Sequence, residues 1–296
     1  MIRHAAESDH GDSLKRICIL AFLLLVFHPL IHQSSQADEP VQWTGWLGPN
    51  RDGFAGYFVP PKTWPESLSR QWSLTVGEGY GTPLVVGDQV FQHARVGNQE
   101  RLWCIDRQSG DVVWKQSVDV PFRPAGGGEF HGSGPKSNAT YSVGRLFTVS
   151  ILGTLTAWDA RQGQKLWQRN FDDEFGKGYP NWGASGSPIV VGSRVILHFG
   201  NDDAGALVAL DVQSGEMLWR SGSAGASYSS PLFATIDGTP QIVQWNHLGL
   251  VGVDVETGRE LWSYSFPHVG SDQNMPTPSI HRGVVLLGGE NRTVFA

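Results

Sequence analysis

Cysteine is almost missing from this chain, with two residues, Cys18 and Cys104, among 296. Cys18 lies inside an N-terminal apolar run, so a chain that sheds this run keeps one thiol and can form no internal disulfide. A zinc cage built from several cysteines is excluded with it. Charge is also scarce: Asp, Glu, Lys and Arg make up 17 %, against roughly 25 % in ordinary soluble domains. The net charge of −6 argues against a nucleic-acid grip, which needs a basic surface. His-Glu-x-x-His, Gly-x-Ser-x-Gly and the Gly-Lys-Ser/Thr end of a phosphate loop are absent. The motifs of zinc hydrolases, serine hydrolases and P-loop enzymes are thereby missing. In excess are glycine (37), tryptophan (12) and proline (17). Together with low charge they fit many short strands joined by tight turns, and 11 % aromatic residues supply a core that a disordered chain lacks.

At the N-terminus, Lys15-Arg16 precede the apolar run Ile17–Phe27, and Ser35-Gln36-Ala37 follows. A basic start, a short apolar stretch and a small-x-small end describe a secretory signal peptide. Eleven apolar residues before His28 are too few for a membrane span, which needs about 20. The sequence predicts a signal peptide over 1–37, an N-terminal segment over 38–80 and a repeat region over 81–296. It also predicts export to the periplasm or beyond, with no transmembrane segment after cleavage.

One pattern recurs four times: Asp106, Gly110 and Trp114; Asp159, Gly163 and Trp167; Asp211, Gly215 and Trp219; Asp254, Gly258 and Trp262. Glycine always stands four residues after Asp and Trp eight, while the Asp residues are 53, 52 and 43 apart. An apolar strand ends at Asp, as in Leu207-Val-Ala-Leu-Asp211. Asp can bond the backbone N–H groups ahead of it, glycine accepts the positive φ of the turn, and a second strand carries Trp. A further hairpin lies upstream of each unit, opening at Thr82-Pro, Ala139-Thr, Ser187-Pro and Ser230-Pro. Each unit is therefore four strands and about 40–50 residues, the size of a propeller blade.

A fifth unit opens at Thr277-Pro and runs to Ala296 without its Asp, Gly and Trp. Arg70-Gln-Trp72-Ser-Leu-Thr-Val76 resembles the outermost strand Val113–Val118 and reads as a ring-closing strand. The expected fold class is all-β: a β-propeller of four-stranded antiparallel blades. Its expected form is a truncated ring with four full blades, a partial fifth and an N-terminal closing strand.

The Ala-x-Asp-x3-Gly-x3-Trp pattern, clearest at Ala157–Trp167 and Ala209–Trp219, resembles the repeat of pyrroloquinoline-quinone (PQQ)-type β-propellers. Trp43–Gly53, His131–Lys136, Asp173–Gly176 and Trp182–Pro188 are similar to segments of secreted planctomycete-type proteins of this class. The resemblance implies blades joined by the repeat tryptophans and, commonly, eight of them. It also implies one of two functions. In quinoprotein dehydrogenases the propeller holds the quinone and calcium, with an Asp as base and often an adjacent-cysteine disulfide, which one remaining Cys cannot form. In outer-membrane assembly lipoproteins it is a cofactor-free scaffold for protein binding.

Calcium needs six to eight oxygens. The densest acidic clusters, Asp172-Asp173-Glu174 and Asn201-Asp202-Asp203, read as solvated loops. Gly126–Gly134 reads as an inter-blade loop. Loops at one mouth of a rigid ring are where ligands bind, which selects His131, Lys136, Trp182, Ser185, Asn246 and His247 as candidate ligand-binding residues. No catalytic residue, metal ligand or cofactor is expected. The function this favours is an exported, non-catalytic scaffold whose partner is an envelope protein or small ligand at the propeller mouth. The alternatives are a PQQ- and calcium-dependent dehydrogenase or its remnant, and a carbohydrate-binding module using Trp182 and Tyr228.

Overall fold

Each Asp-x3-Gly turn closes in the same way. The Asp Oδ1 accepts hydrogen bonds of 2.7–3.1 Å from the N–H groups two and three residues ahead, at Asp106, Asp159, Asp211 and Asp254. The N–H of Gly110, Gly163, Gly215 and Gly258 returns to the Asp carbonyl at 2.8–2.9 Å, with φ between 70° and 78°. The backbone N–H groups of Ser109 and Ser214 thereby hold the Asp106 and Asp211 carboxyls below the usual range. The strands are out of register by a β-bulge two residues before each Asp, between Cys104/Ile105, Ala157/Trp158, Ala209/Leu210 and Gly252/Val253.

The structure is a computed structural model that describes residues 42–296 apart from 57, 126–127, 271–273 and 290. The expected signal peptide, and Gly126 and Gly127 of the glycine-rich loop, lie outside the described residues. The chain divides into Met1–Glu39 and Pro40–Ala296, and the second unit is the one described. Its strands form four antiparallel meanders of four, in chain order from inside outwards. Blade 1 comprises β1 (Leu84–Val86), β2 (Gln89–Val96), β3 (Gln99–Asp106) and β4 (Val112–Asp119). Blade 2 comprises β5 (Thr140–Ser142), β6 (Arg145–Val149), β7 (Leu155–Asp159) and β8 (Lys165–Arg169). Blade 3 follows, after the one-turn helix α1 (Asp172–Phe175), with β9 (Ile189–Val191), β10 (Arg194–Gly200), β11 (Gly205–Asp211) and β12 (Met217–Ser221). Blade 4 comprises β13 (Leu232–Ile236), β14 (Thr239–Trp245), β15 (Gly249–Asp254) and β16 (Glu260–Ser265). The hairpin β17 (Ser279–His281) and β18 (Val284–Leu286) begins a fifth, with Phe295 bridged to Leu287.

The hydrophobic core is a series of layers between blades. Leu84, Phe91, Leu102 and Cys104 meet Leu146 and Trp158 between blades 1 and 2. Phe147, Leu155 and Ala157 meet Val195, Leu197 and Phe199 between blades 2 and 3. Ile196, Leu207 and Trp219 meet Ile242 and Val253 between blades 3 and 4. Both faces of a middle strand are buried, which explains near-continuous apolar runs such as Ala206–Leu210. Burial beside Asp106 pushes the Cys104 thiol up to about 12, leaving it inert.

Two sets of contacts fasten blade to blade. The indoles of Trp72, Trp114, Trp167 and Trp219 lie over Gly110, Gly163, Gly215 and Gly258, where an added Cβ would stand 2.6–2.8 Å from the ring. Their Nε1–H groups donate to the carbonyls of Arg107, Ala160, Val212 and Val255 at 2.8–3.2 Å. Nearer the axis, the hydroxyl oxygens of Ser187, Ser230 and Thr277 accept the N–H groups of Asn138, Ser187 and Ser230 at 2.9–3.0 Å.

Residues 70–76 pair with no strand of the described chain, and Trp72, Leu74 and Val76 pack on blade 1, Trp72 docking there as the repeat tryptophans do. Trp262 packs in the cluster that joins blade 4 to Leu287 of the fifth hairpin, and its Nε1 donates to Gln241 Oε1 of its own sheet at 2.6 Å. It folds over Gly252, where other repeats carry Ala or Cys and where a Cβ would come within 2.1 Å of the indole.

Candidate functional site

The meander separates two ends of the blades. The Asp-x3-Gly turns share one end with the turns between first and second strands, joined by bonds such as Ala160 N–H to Gly144 O at 2.9 Å. The other end carries the turns between second and third strands and the long connections between blades. All six sequence-selected residues lie at this loop end, in two groups.

His131, Lys136, Trp182 and Ser185 form the first group. Trp182 is half-buried, with the rings of His131 and Tyr228 centred 5.8 and 5.6 Å from its own. Lys136 Nζ donates to the Trp182 carbonyl, and partial burial lowers its pKa. The Tyr228 hydroxyl accepts the Trp182 N–H at 2.9 Å, and Ser185 Oγ donates to the Tyr228 carbonyl at 3.0 Å. Burial raises the Tyr228 phenol pKa further above its ordinary value. These side chains brace the β4–β5, β8–β9 and β12–β13 connections against one another.

Asn246 and His247 form the second group, in the β14–β15 turn. Asn246 Oδ1 accepts the N–H groups of Leu248 and Gly249 at 2.9 and 3.0 Å, building the turn itself. His247 is buried, with Nδ1 2.6 Å from the Asp202 carbonyl, so Nδ1 carries the hydrogen. Its ring lies 4.7 Å from that of His268. His198, also near, points Nε2 at Ala224 O at 3.0 Å, and burial pushes its pKa down to about 4. Asp202 Oδ2 accepts the Asn181 N–H at 2.8 Å and so links the two groups.

Sequence reasoning named Asp202 only as part of an acidic cluster and gave Arg51 no role. The Arg51 guanidinium donates to the carbonyls of Pro231 (2.7 Å), Ser187 (3.2 Å) and Pro188. The only signal available was its place in the quoted Trp43–Gly53 motif. Exposed apolar side chains at the loop end were also missed: Phe130 is 94 % exposed and Leu248 64 %. Single apolar residues in loops leave no periodic trace.

A family model described as "Outer membrane protein assembly factor BamB" matches residues 63–116 and 119–296. The chain belongs to this family. Within the BamB-type and PQQ-type propellers, it is similar to polyvinylalcohol dehydrogenase of Pseudomonas sp, 27 % identical over 281 residues, covering 85 % of this chain and 36 % of that protein. It is also similar to outer membrane protein assembly factor BamB of Shewanella oneidensis, 27 % identical over 158 residues, covering 52 % of this chain and 36 % of that one. The chain thus spans about a third of the length of these relatives. Among solved structures, quinohemoprotein alcohol dehydrogenase from Comamonas testosteroni shares the fold, with a TM-score of 0.52, 18 % identity, and coverage of 73 % of this chain and 40 % of that one.

The dehydrogenase members of the propeller class imply a quinone and calcium, and the donor set can be tested for them. Asp172 Oδ1 accepts the Gly178 N–H, Glu174 pairs with Arg220, and Asn201 Oδ1 accepts the N–H groups of Asp203 and Ala204. Asp172, Glu174 and Asn201 thus serve loop structure, and the two clusters do not converge on a common point. Among the described residues no three His, Cys, Asp or Glu side chains are placed to hold a metal. Neither acidic cluster therefore offers a calcium site among the described residues. No helix among them is long and apolar enough to cross a membrane.

Proposed function

We propose that this propeller is an exported, non-catalytic scaffold that binds an envelope protein or other ligand through its loop end. The observation that carries the reading is how the loop-end polar groups are used. Lys136, Ser185, Asn246 and His247 bond to backbone of the loops they brace, while Phe130 and Leu248 stand clear of the core. Rigid loops with apolar tips suit association with a macromolecule. The assembly-factor match supports the same reading.

The dehydrogenase reading draws on the polyvinylalcohol dehydrogenase match; the carbohydrate reading is not favoured, because His131 and Tyr228 flank the Trp182 ring. In the test, Phe130→Ser and Leu248→Ser are combined in the full chain, and cross-linking to envelope proteins is measured in cells. Recovery should fall several-fold at an unchanged melting temperature. Equal recovery from variant and parent overturns the proposal, as does a saturable one-to-one site for PQQ with calcium in a calorimetric titration.

A further inference from the structure

A cavity of about 440 Å³ lies at the inner edges of the blades, away from the loop-end groups. Thr44–Gly45 and Gly48–Arg51 line one side of it, and the inner strands β5, β9 and β13 line the other. That volume is typical of a ligand site. None of its lining residues is acidic.

The chain's own N-terminal segment shows how these edges take an extended backbone. Trp43 exchanges two hydrogen bonds with Val85 of β1, at 2.7 and 3.1 Å, and the Thr44 carbonyl accepts the Tyr141 N–H of β5 at 2.7 Å. Val85 and Tyr141 hold the same position in their blades, the middle of a three-residue strand before a two-residue turn. Val190 holds that position in β9. In an antiparallel ladder alternate residues turn their N–H and C=O away from the partner strand, so those of Val190 face the cavity, as those of Val85 and Tyr141 face residues 43–44. Among the described residues no strand covers them.

Arg51 stands beside this open edge. Three of its five N–H groups meet the carbonyls of Pro231, Ser187 and Pro188, and no carboxylate of the described chain pairs with it. Its conformation is unusual, with φ of 56° in a non-glycine residue, and the Trp46 ring lies 6.0 Å away. Positive charge without an acid, beside an unpaired strand edge, defines one kind of occupant. We propose that this cavity binds a short extended peptide bearing a carboxylate, the acid meeting Arg51 and the backbone pairing with Val190. The site is separate from the loop end, and neither proposal depends on the other.

The test uses acetyl-Val-Thr-Val with a free C-terminal carboxylate, its C-terminal amide, and acetate, each titrated into the full chain by calorimetry. The free acid should bind, the amide at least ten-fold more weakly, and acetate not at the same concentration. Arg51→Gln should remove the preference for the acid. Val190→Pro, which deletes the N–H facing the cavity and spares the bonds to β10, should weaken the acid in a chain that melts like the parent. Equal binding of acid and amide, binding of acetate as tight as the peptide, or no binding of the peptide at millimolar concentration overturns the proposal. The comparison among ligands needs no variant, so a misfolded Arg51→Gln leaves it decisive.

Discussion

Gly163 tests whether the turn glycine serves its own turn alone or also seats the tryptophan of the preceding blade. Its φ of 71° means that Gly163→Ala pays about 1–2 kcal/mol for left-handed backbone alone. The added Cβ would also lie 2.6 Å from Trp114 Cε3, well inside the ~3.5 Å of a relaxed carbon contact. Either the turn shifts or the indole leaves its seat and the Ala160 carbonyl. Full truncation of a buried aromatic costs about 3–5 kcal/mol; Trp114 is half-buried, so its partial displacement adds about 2 kcal/mol on the same scale. Gly144→Ala is the control: φ is 77° and nothing lies within 4 Å of the new Cβ, so it carries only the backbone cost. In urea unfolding followed by circular dichroism, Gly163→Ala should cost about 2 kcal/mol more than Gly144→Ala. With Trp114→Ala in place the excess should vanish, a coupling that a double-mutant cycle measures directly. Equal costs for the two glycines, or strict additivity with Trp114→Ala, would refute the reasoning.

Two further outcomes are expected. His198 is held at about 4, below the ordinary 6.5, so the folded state takes up its proton later than the unfolded chain. Its contribution is whole above pH 6.5, is lost as pH falls towards 4, and amounts to roughly 3 kcal/mol at the limit. His198→Gln should flatten the stability profile in that window, and an unchanged acid slope would contradict the assignment. Ser187→Ala leaves the buried Asn138 N–H without its acceptor and should cost about 1–3 kcal/mol in the same unfolding assay; a cost near zero would mean the hydroxyl contributes nothing to holding blades 2 and 3 together.

The blades were readable in the sequence because their instructions are local. Asp Oδ1, the two N–H groups ahead of it and the left-handed glycine lie within five residues, and Trp follows at a fixed distance. Contacts between units were less accessible. Ser187 and Ser230 stand visibly before prolines, but their partners Asn138 and Ser187 lie 49 and 43 residues away, and no local pattern states the pairing. Arg51 reaches carbonyls 136 to 180 residues distant. Trp262 keeps the repeat in sequence, but the glycine turn of a fifth unit that would seat it is not in this sequence, and its indole lies over Gly252 of its own sheet. Loop-end residues such as Lys136 and His247 lie in connections between strands, and their hydrogen-bond partners depend on how neighbouring loops fold together.

The tryptophan–glycine clasp has a direction. Each participating blade offers an indole from its outer flank and receives one on its turn, so every junction is head-to-tail and none is self-complementary. Any one junction then depends only on the two sheets beside it, as in other stacked architectures where stability is a sum over neighbours. Damage at Gly163 should loosen the seam between blades 1 and 2 while the seams at Gly215 and Gly258 hold. Such a chain can fail at one joint without coming apart at the rest.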